Sequence, residues 1–359
     1  MLNKQYLMIP GPTMVPERVL RAMVKEMINH RGPEFTKILT NVTEGVKKCF
    51  KTKNDLFIIP SSGTGGMEAV VVNVLSEGDD VLVLNIGAFG SRWVKILKAY
   101  RANVDEIKFE RGKAADIGTV EKKLREKKYK AVFFQQNETS TGVLNDVKAL
   151  AGLVKKYDAL VVVDAVSGLL TADLPTDEWG LDVVVAASQK AFMLPPGLSF
   201  VSFSTKAWDY YSKAKMPRFY WDFKSMKDWA DKGQNPFTPP VSLYYGLEES
   251  LKMIDEEGLE NVFVRHTKLR DITREGLKKL NLKLLASDEV ASCAVTAVFP
   301  PEGIAADDLR KKVKQNYGVA LAGGQEELKG KIFRIGHLGY CAETDVMVAL
   351  DAISKELKV

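Results

Sequence analysis

One lysine stands where few lysines do. Lys190 comes just after the apolar run Asp182 to Ala187, past Ser188-Gln189, and precedes the turn Pro195-Pro196-Gly197. A short β-branched run of this kind predicts a buried strand, so the amine is pinned at the end of a core element, where solvation is poor. Desolvation favours the neutral amine, the nucleophilic form that Schiff-base chemistry needs. A solvated lysine at an ordinary strand-to-loop junction is the plainer alternative, because charged side chains usually face water.

Other strand-like runs also end on chemically useful residues. Leu160-Val161-Val162-Val163 closes on Asp164 and is followed by Ala165-Val166-Ser167-Gly168. A carboxylate there costs desolvation unless it meets a cation or hydrogen-bond donors. It suits either a helix N-cap or the partner of a protonated ring nitrogen. After Asp55 to Ile59 comes Pro60-Ser61-Ser62-Gly63-Thr64-Gly65-Gly66, opening a helix expected from about Met67. Free backbone N–H groups there form an anion seat, or simply a capped helix start. No Gly-Lys-Ser/Thr follows, and spaced glycines with a distal acid are missing, so nucleotide fingerprints are not met. Phe89, in Gly87-Ala88-Phe89-Gly90, follows a third run and suits either core packing or stacking on a flat ligand. A phosphate seat, an acid, a flat ring and a lysine at the strand ends of one sheet describe a site for a phosphorylated aromatic aldehyde, pyridoxal 5′-phosphate.

The elements that must position these residues alternate regularly. Strands are expected at Asp55 to Ile59, Asp80 to Leu84, Val104 to Phe109, Ala131 to Gln135, Leu160 to Asp164, Asp182 to Ala187 and Leu198 to Phe203. Helix-like stretches such as Met67 to Ser76, Ser91 to Tyr100, Ile117 to Glu126 and Val147 to Tyr157 lie between them. That pattern implies an α/β fold whose seven-stranded, mostly parallel sheet is covered on both faces and binds ligands at the strands' carboxyl ends. Residues 1–16, which hold Pro10, Gly11, Pro12 and Pro16, are expected to form an arm. The large domain is expected over 17–245. A smaller α+β domain over 246–359 would use strands at Ser292 to Phe299 and Lys331 to Gly336 and helices at Ala305 to Lys314 and Ala342 to Glu356.

Composition narrows the function. An apolar fraction of 46% with 27% charged residues belongs to a globular chain rather than a disordered one. The 51 basic and 46 acidic residues are dispersed, which argues against nucleic-acid binding. Cys49, Cys293 and Cys341 are too far apart for metal spacing and suit a reducing compartment, so no metal is expected. With neither a leader-like N-terminus nor a long apolar run, no membrane contact and a cytoplasmic location are expected.

Longer pieces of sequence carry a resemblance. Pro10-Gly11-Pro12, Ser62-Gly63-Thr64, Glu77-Gly78-Asp79, Glu138-Thr139-Ser140-Thr141-Gly142, Val163-Asp164, Ser188-Gln189-Lys190, Pro195-Pro196-Gly197 and Arg334-Ile335-Gly336 run nearly end to end. With them the chain resembles class V aminotransferases of the fold type I pyridoxal-phosphate superfamily, in particular the alanine–glyoxylate and serine–pyruvate or serine–glyoxylate group. The resemblance implies that Lys190 bonds to the cofactor aldehyde, that Asp164 pairs with the pyridine nitrogen, and that Phe89 and Val166 flank the ring. It also implies phosphate contacts from Ser62, Gly63, Thr64 and Gln189, with Thr238 reaching across a homodimer interface, and Thr139 beside the ring hydroxyl. Arg334, otherwise readable as a solvent-facing residue of an alternating strand, would clamp the substrate carboxylate near Gly11. Two departures stand out: Thr64 replaces a histidine of some members, and Asn235 a phosphate-binding tyrosine.

The expected activity is ping-pong transfer of an amino group between a small amino acid, alanine or serine, and a 2-oxo acid, glyoxylate or pyruvate. Desulfuration or elimination is the first alternative. Its family members carry histidines where this chain has Gln189 and Phe89. Aspartate or phosphoserine as donor would need a second cation, for which Arg31 and Arg218 are candidates. A non-catalytic regulatory relative is the remote alternative, since a silent scaffold needs none of Lys190, Asp164 and Arg334.

Overall fold

The computed structural model describes residues 5–358. Its centre is a seven-stranded sheet in the order Asp55–Ile59, Ser199–Phe203, Val183–Ala187, Leu160–Asp164, Ala131–Gln135, Asp80–Asn85, Asn103–Lys108. Ser199–Phe203 alone runs antiparallel to its neighbours, and the other pairings are parallel. The four strands from Ser199–Phe203 to Ala131–Gln135 in that order are buried along their whole length, as apolar runs require when helices cover both faces. One face packs on Pro33–Phe50, Val147–Lys155 and Val241–Glu257, the other on Gly63–Val74 and Ala88–Ala99.

Strand register sets the site. Gln135 pairs with Asp164 and Asp164 with Val185, so the acid ends its strand level with the carboxyl end of Ala131–Gln135 and two residues short of that of Val183–Ala187. The Val183–Ala187 strand releases the chain two residues before Lys190.

A second sheet has four strands in the order Tyr6–Met8, Val319–Gly323, Phe333–Gly336, Val295–Val298, flanked by the helices Leu259–Lys279, Ala306–Tyr317 and Glu343–Leu357. Tyr6–Met8 lies within the stretch expected to be an arm; it pairs parallel with Val319–Gly323, so the chain passes from one sheet to the other. Residues 1–4 of that stretch lie outside the described residues. Proline stops this strand after three residues without preventing it. The segment after Lys206, expected as an excursion, contains the short helices Thr205–Tyr211 and Phe223–Ala230. Among the described residues no helix is long and apolar enough to cross a membrane.

Candidate active site

Lys190 is 9% exposed, and its amine donates to the carbonyl of Pro10. Its backbone is fixed from three sides. Thr13 donates from its N–H to the Gln189 carbonyl at 3.1 Å and from its hydroxyl to the Lys190 carbonyl at 3.0 Å. The same carbonyl accepts the Met193 N–H at 3.0 Å. That turn puts Met193 at φ +57°, a left-handed conformation costing a non-glycine residue about 1 to 3 kcal/mol. Gly11 lies against the amine: a Cβ there would fall 2.3 Å from Lys190 Nζ, at a φ of +131° that only glycine takes readily.

Asp164 is buried at 4% exposure, and one oxygen accepts the Val166 N–H at 2.9 Å. No helix follows until Thr176–Trp179, so the N-cap alternative for this acid does not hold. Burial pushes its carboxyl up to about 6, against the Val166 N–H and the charges of Arg92 and Lys190. Burial pulls the Lys190 amine down to about 8, with help from Arg334 and Arg92, while Asp164 opposes the shift. The neutral, nucleophilic amine is therefore reached from about pH 8 upward, rather than only near the ordinary lysine value.

These shifts predict a pH signature in the cofactor-free protein. Between about pH 8 and the ordinary lysine value near 10.4, the unfolded chain holds a Lys190 proton that the fold has released, so stability rises with pH. Asp164 acts oppositely, its contribution being complete below about pH 4 and lost as pH rises through 6. Lys190→Met should abolish up to about 3 kcal/mol of the alkaline gain. Urea midpoints at pH 7.5 and 10 would read the difference, and equal gains in both proteins would contradict the assignment.

The helix Gly63–Val74 begins at Gly63, four residues before the expected start, so Gly63 and Thr64 are its first turn. The Ser62 carbonyl takes the Gly65 and Gly66 N–H groups, and among the described residues the amides of Gly63 and Thr64 are left as unbonded donors. Val166 touches this turn, its Cγ2 lying 2.8 Å from where a Gly63 Cβ would be. Gln189, beside Lys190, has a buried side-chain oxygen with no partner among the described residues.

Phe89 sits in the first turn of Ala88–Ala99 and is only partly buried, so core packing is not its role. A buried carboxylate that sequence reasoning left without a task holds its loop: Glu138 accepts from the N–H groups of Phe89, Gly90 and Ser140 and from the Ser140 hydroxyl. Burial pushes the Glu138 carboxyl up while these donors pull it down. Gly87 permits the approach, because a Cβ there would lie 2.3 Å from the Glu138 side chain. Glu138→Gln should turn one acceptor oxygen into a donor facing these N–H groups, costing about 2 kcal/mol. A lowered urea midpoint is expected; an unchanged one would remove this role.

Arg334 is 6% exposed, which corrects the solvent-facing reading. It donates to the carbonyls of Gly323 (2.8 Å) and Thr139 (2.9 Å) and to the Gln325 side chain (3.4 Å), and among the described residues no carboxylate pairs with it. Burial draws its guanidinium down to about 10. A buried cation bonded only to neutral acceptors is ready for an anion. Thr139, which ties to it, also shares a 2.7 Å hydroxyl pair with Ser167.

The fold thus brings Gly11, Gly63, Thr64, Phe89, Thr139, Asp164, Val166, Gln189, Lys190 and Arg334 to one end of the large sheet, with Ser62 exposed at its rim. Thr238 is exposed, and among the described residues its side chain has no hydrogen-bond partner. Asn235 donates to Tyr244 at 3.2 Å, and its side-chain oxygen is buried without a partner among the described residues. Arg31 is bound to Gln234 and to the carbonyls of Asn235 and Pro236, and Arg218 to the carbonyls of Val72, Ala214 and Met216 and to the Asp222 carboxylate, so both have partners elsewhere. Arg92, which sequence reasoning passed over, contacts two of these residues, Thr64 and Phe89.

The donor set fits pyridoxal phosphate: a buried amine and a buried acid lie within each other's field, an unpartnered amide oxygen and the free amides of a helix start are available to an anion, and a buried arginine has no carboxylate partner among the described residues. The model of the family "Aminotransferase class-V" matches residues 5–346. A protein of Synechococcus sp. (strain PCC 6716) called soluble hydrogenase, small subunit, is 46% identical, over 99% of this chain and 94% of its own. The L-aspartate–glyoxylate aminotransferase of Paracoccus denitrificans is 38% identical (99% and 90%), and the serine–glyoxylate aminotransferase of Arabidopsis thaliana 36% (99% and 91%). The crystal structure of alanine–glyoxylate aminotransferase from Nostoc sp. superposes with a TM-score of 0.95 at 27% identity, over 99% of this chain and 96% of that one. The chain belongs to the class-V aminotransferases, with their fold type I architecture.

Proposed function

We propose that this enzyme carries pyridoxal phosphate on Lys190 and transfers the amino group of alanine or serine to glyoxylate or pyruvate, by two half-reactions at one site. The observation that carries the reading is the buried Lys190 amine, set just past the end of a core strand against Gly11, with the buried carboxyl of Asp164 at the end of the neighbouring strand. When bound, the cofactor supplies an aldehyde that takes up amines and a ring that draws electrons from the carbon beside them. Lys190 would hold it and, once displaced, move the substrate α-proton as base and acid. Asp164 would keep a proton on the ring nitrogen, and Phe89 and Val166 would restrain the ring from its two faces. Ser62, Gly63, Thr64 and Gln189 would hold the phosphate, and Thr139 would neighbour the ring hydroxyl. Arg334 would take the substrate carboxylate in its planar fork, with Gly11 leaving room beside the amine.

The commitment of Arg31 and Arg218 elsewhere supports a small monocarboxylate donor, whereas the relative named for L-aspartate supports a dicarboxylate. A hydrogenase reading finds less support in the donors. The three cysteines are buried and dispersed, and among the described residues no three His, Cys, Asp or Glu side chains gather as a metal would need. Such free thiols suit a cytoplasmic setting.

We further propose a homodimer in which Thr238 meets the partner's cofactor. Phe219, 80% exposed, packs with Tyr220 against Phe237, and this exposed aromatic cluster beside Thr238 supports the reading. Sedimentation should give twice the 39.8 kDa chain mass. A donor-by-acceptor panel that follows cofactor absorbance and the released oxo acid tests the reaction. Parallel double-reciprocal lines with alanine or serine are expected; sulfide from cysteine without amino transfer would refute it.

A further inference from the structure

Arg92 lies one turn after Phe89 in the helix Ala88–Ala99. Its guanidinium sits 4.6 Å from the centre of the Phe89 ring, and Nη1 donates to the Thr64 hydroxyl at 3.1 Å. It thereby bridges two residues assigned above to different parts of the cofactor, the ring and the phosphate. Both Asp164 and Lys190 feel its charge. Among the described residues no carboxylate lies in salt-bridge range of it, and one of its five N–H donors is spent.

We propose that Arg92 is the cation that meets the cofactor phosphate, an inference that rests on the pyridoxal-phosphate reading. A phosphate monoester carries nearly two negative charges near neutral pH. Ser62, Gly63, Thr64 and Gln189 are all neutral, and a helix N-terminus offers only about half an elementary charge. Histidine at position 64 could add charge in other members; threonine cannot. Arg92 makes good that deficit. Its bond to Thr64 ties the guanidinium to the first turn of Gly63–Val74, where the Gly63 and Thr64 amides are free, and the Phe89 ring lies against it.

The test compares pyridoxal 5′-phosphate with pyridoxal, which lacks the phosphate, by titrating cofactor-free protein and reading absorbance and protein fluorescence. Arg92→Gln should weaken pyridoxal phosphate by about tenfold to a hundredfold while changing pyridoxal by less than about threefold. Arg92→Lys, which keeps charge but not the fork, should fall between and serves as the comparison if the glutamine variant does not fold. Equal losses for the two compounds would show that Arg92 only props Phe89 and would overturn the proposal. So would unchanged cofactor affinity with a loss confined to dicarboxylate donors, which would place the guanidinium on substrate. Failure of the wild-type protein to bind either compound is a distinct result that refutes the pyridoxal-phosphate reading itself.

Discussion

Lys190→Ala is expected to lower amino transfer by at least about 10⁴-fold, because one side chain both holds the cofactor and moves the proton. The fold should not suffer. The amine is buried, bonded to a single carbonyl and drawn down to about 8 by that burial, so removing it relieves a desolvation cost at neutral pH. Thermal unfolding of the cofactor-free variant should therefore occur at the same temperature or higher, separating a chemical defect from a folding one. Arg cannot substitute: its guanidinium stays charged, and the packing at Gly11 leaves no room for a larger head group. Appreciable turnover by Lys190→Ala, measured as oxo acid formed per enzyme, would remove the lysine from the chemistry.

The second large effect is at Asp164. Asparagine keeps the shape and an acceptor for the Val166 N–H, yet it cannot carry the negative charge that would hold a ring proton. Turnover should fall by about 10² to 10⁴-fold, chiefly in kcat. The stability sign is again informative. At pH 8 the folded protein holds this buried acid ionised although burial pushes it up to about 6, so Asp164→Asn should stabilise the cofactor-free protein by up to about 3 kcal/mol. That gain should fall away as pH drops through 6 and vanish below about pH 4, where the acid becomes protonated in both states. A variant as active as the parent, or less stable at pH 8 than at pH 4 relative to it, would contradict the assignment.

The two substitutions share a physical basis that sequence already displayed. Leu160–Asp164 and Ala131–Gln135 have the bounds their apolar runs predict, because a strand buried on both faces tolerates nothing else. Residues at or just past the carboxyl end of such a strand sit at the ligand end of the sheet, and this made Asp164 and Lys190 legible. The start of the helix at Gly63 was not legible from periodicity, since glycine and threonine in its first turn leave no apolar signal. Nor was the strand Val319–Gly323, whose Ala and Gly residues lack β-branched character and whose partner Tyr6–Met8 pairs with it from the opposite end of the sequence. Side-chain geometry was the least visible layer. Glu138 belongs to a recognisable motif, but its grip on Phe89 depends on a loop far earlier in the chain. Arg92 would have emerged from reading Phe89 and its i+3 neighbour as one helical face, because such pairs share a surface.

Every role assigned around the site presupposes that one amine, on Lys190, bonds to the cofactor. Borohydride reduction of protein saturated with pyridoxal phosphate, followed by peptide mapping, tests that directly. The account predicts a single pyridoxyl-modified peptide containing Ser188-Gln189-Lys190. A label on any other lysine, or a reduced protein bearing none, would contradict it.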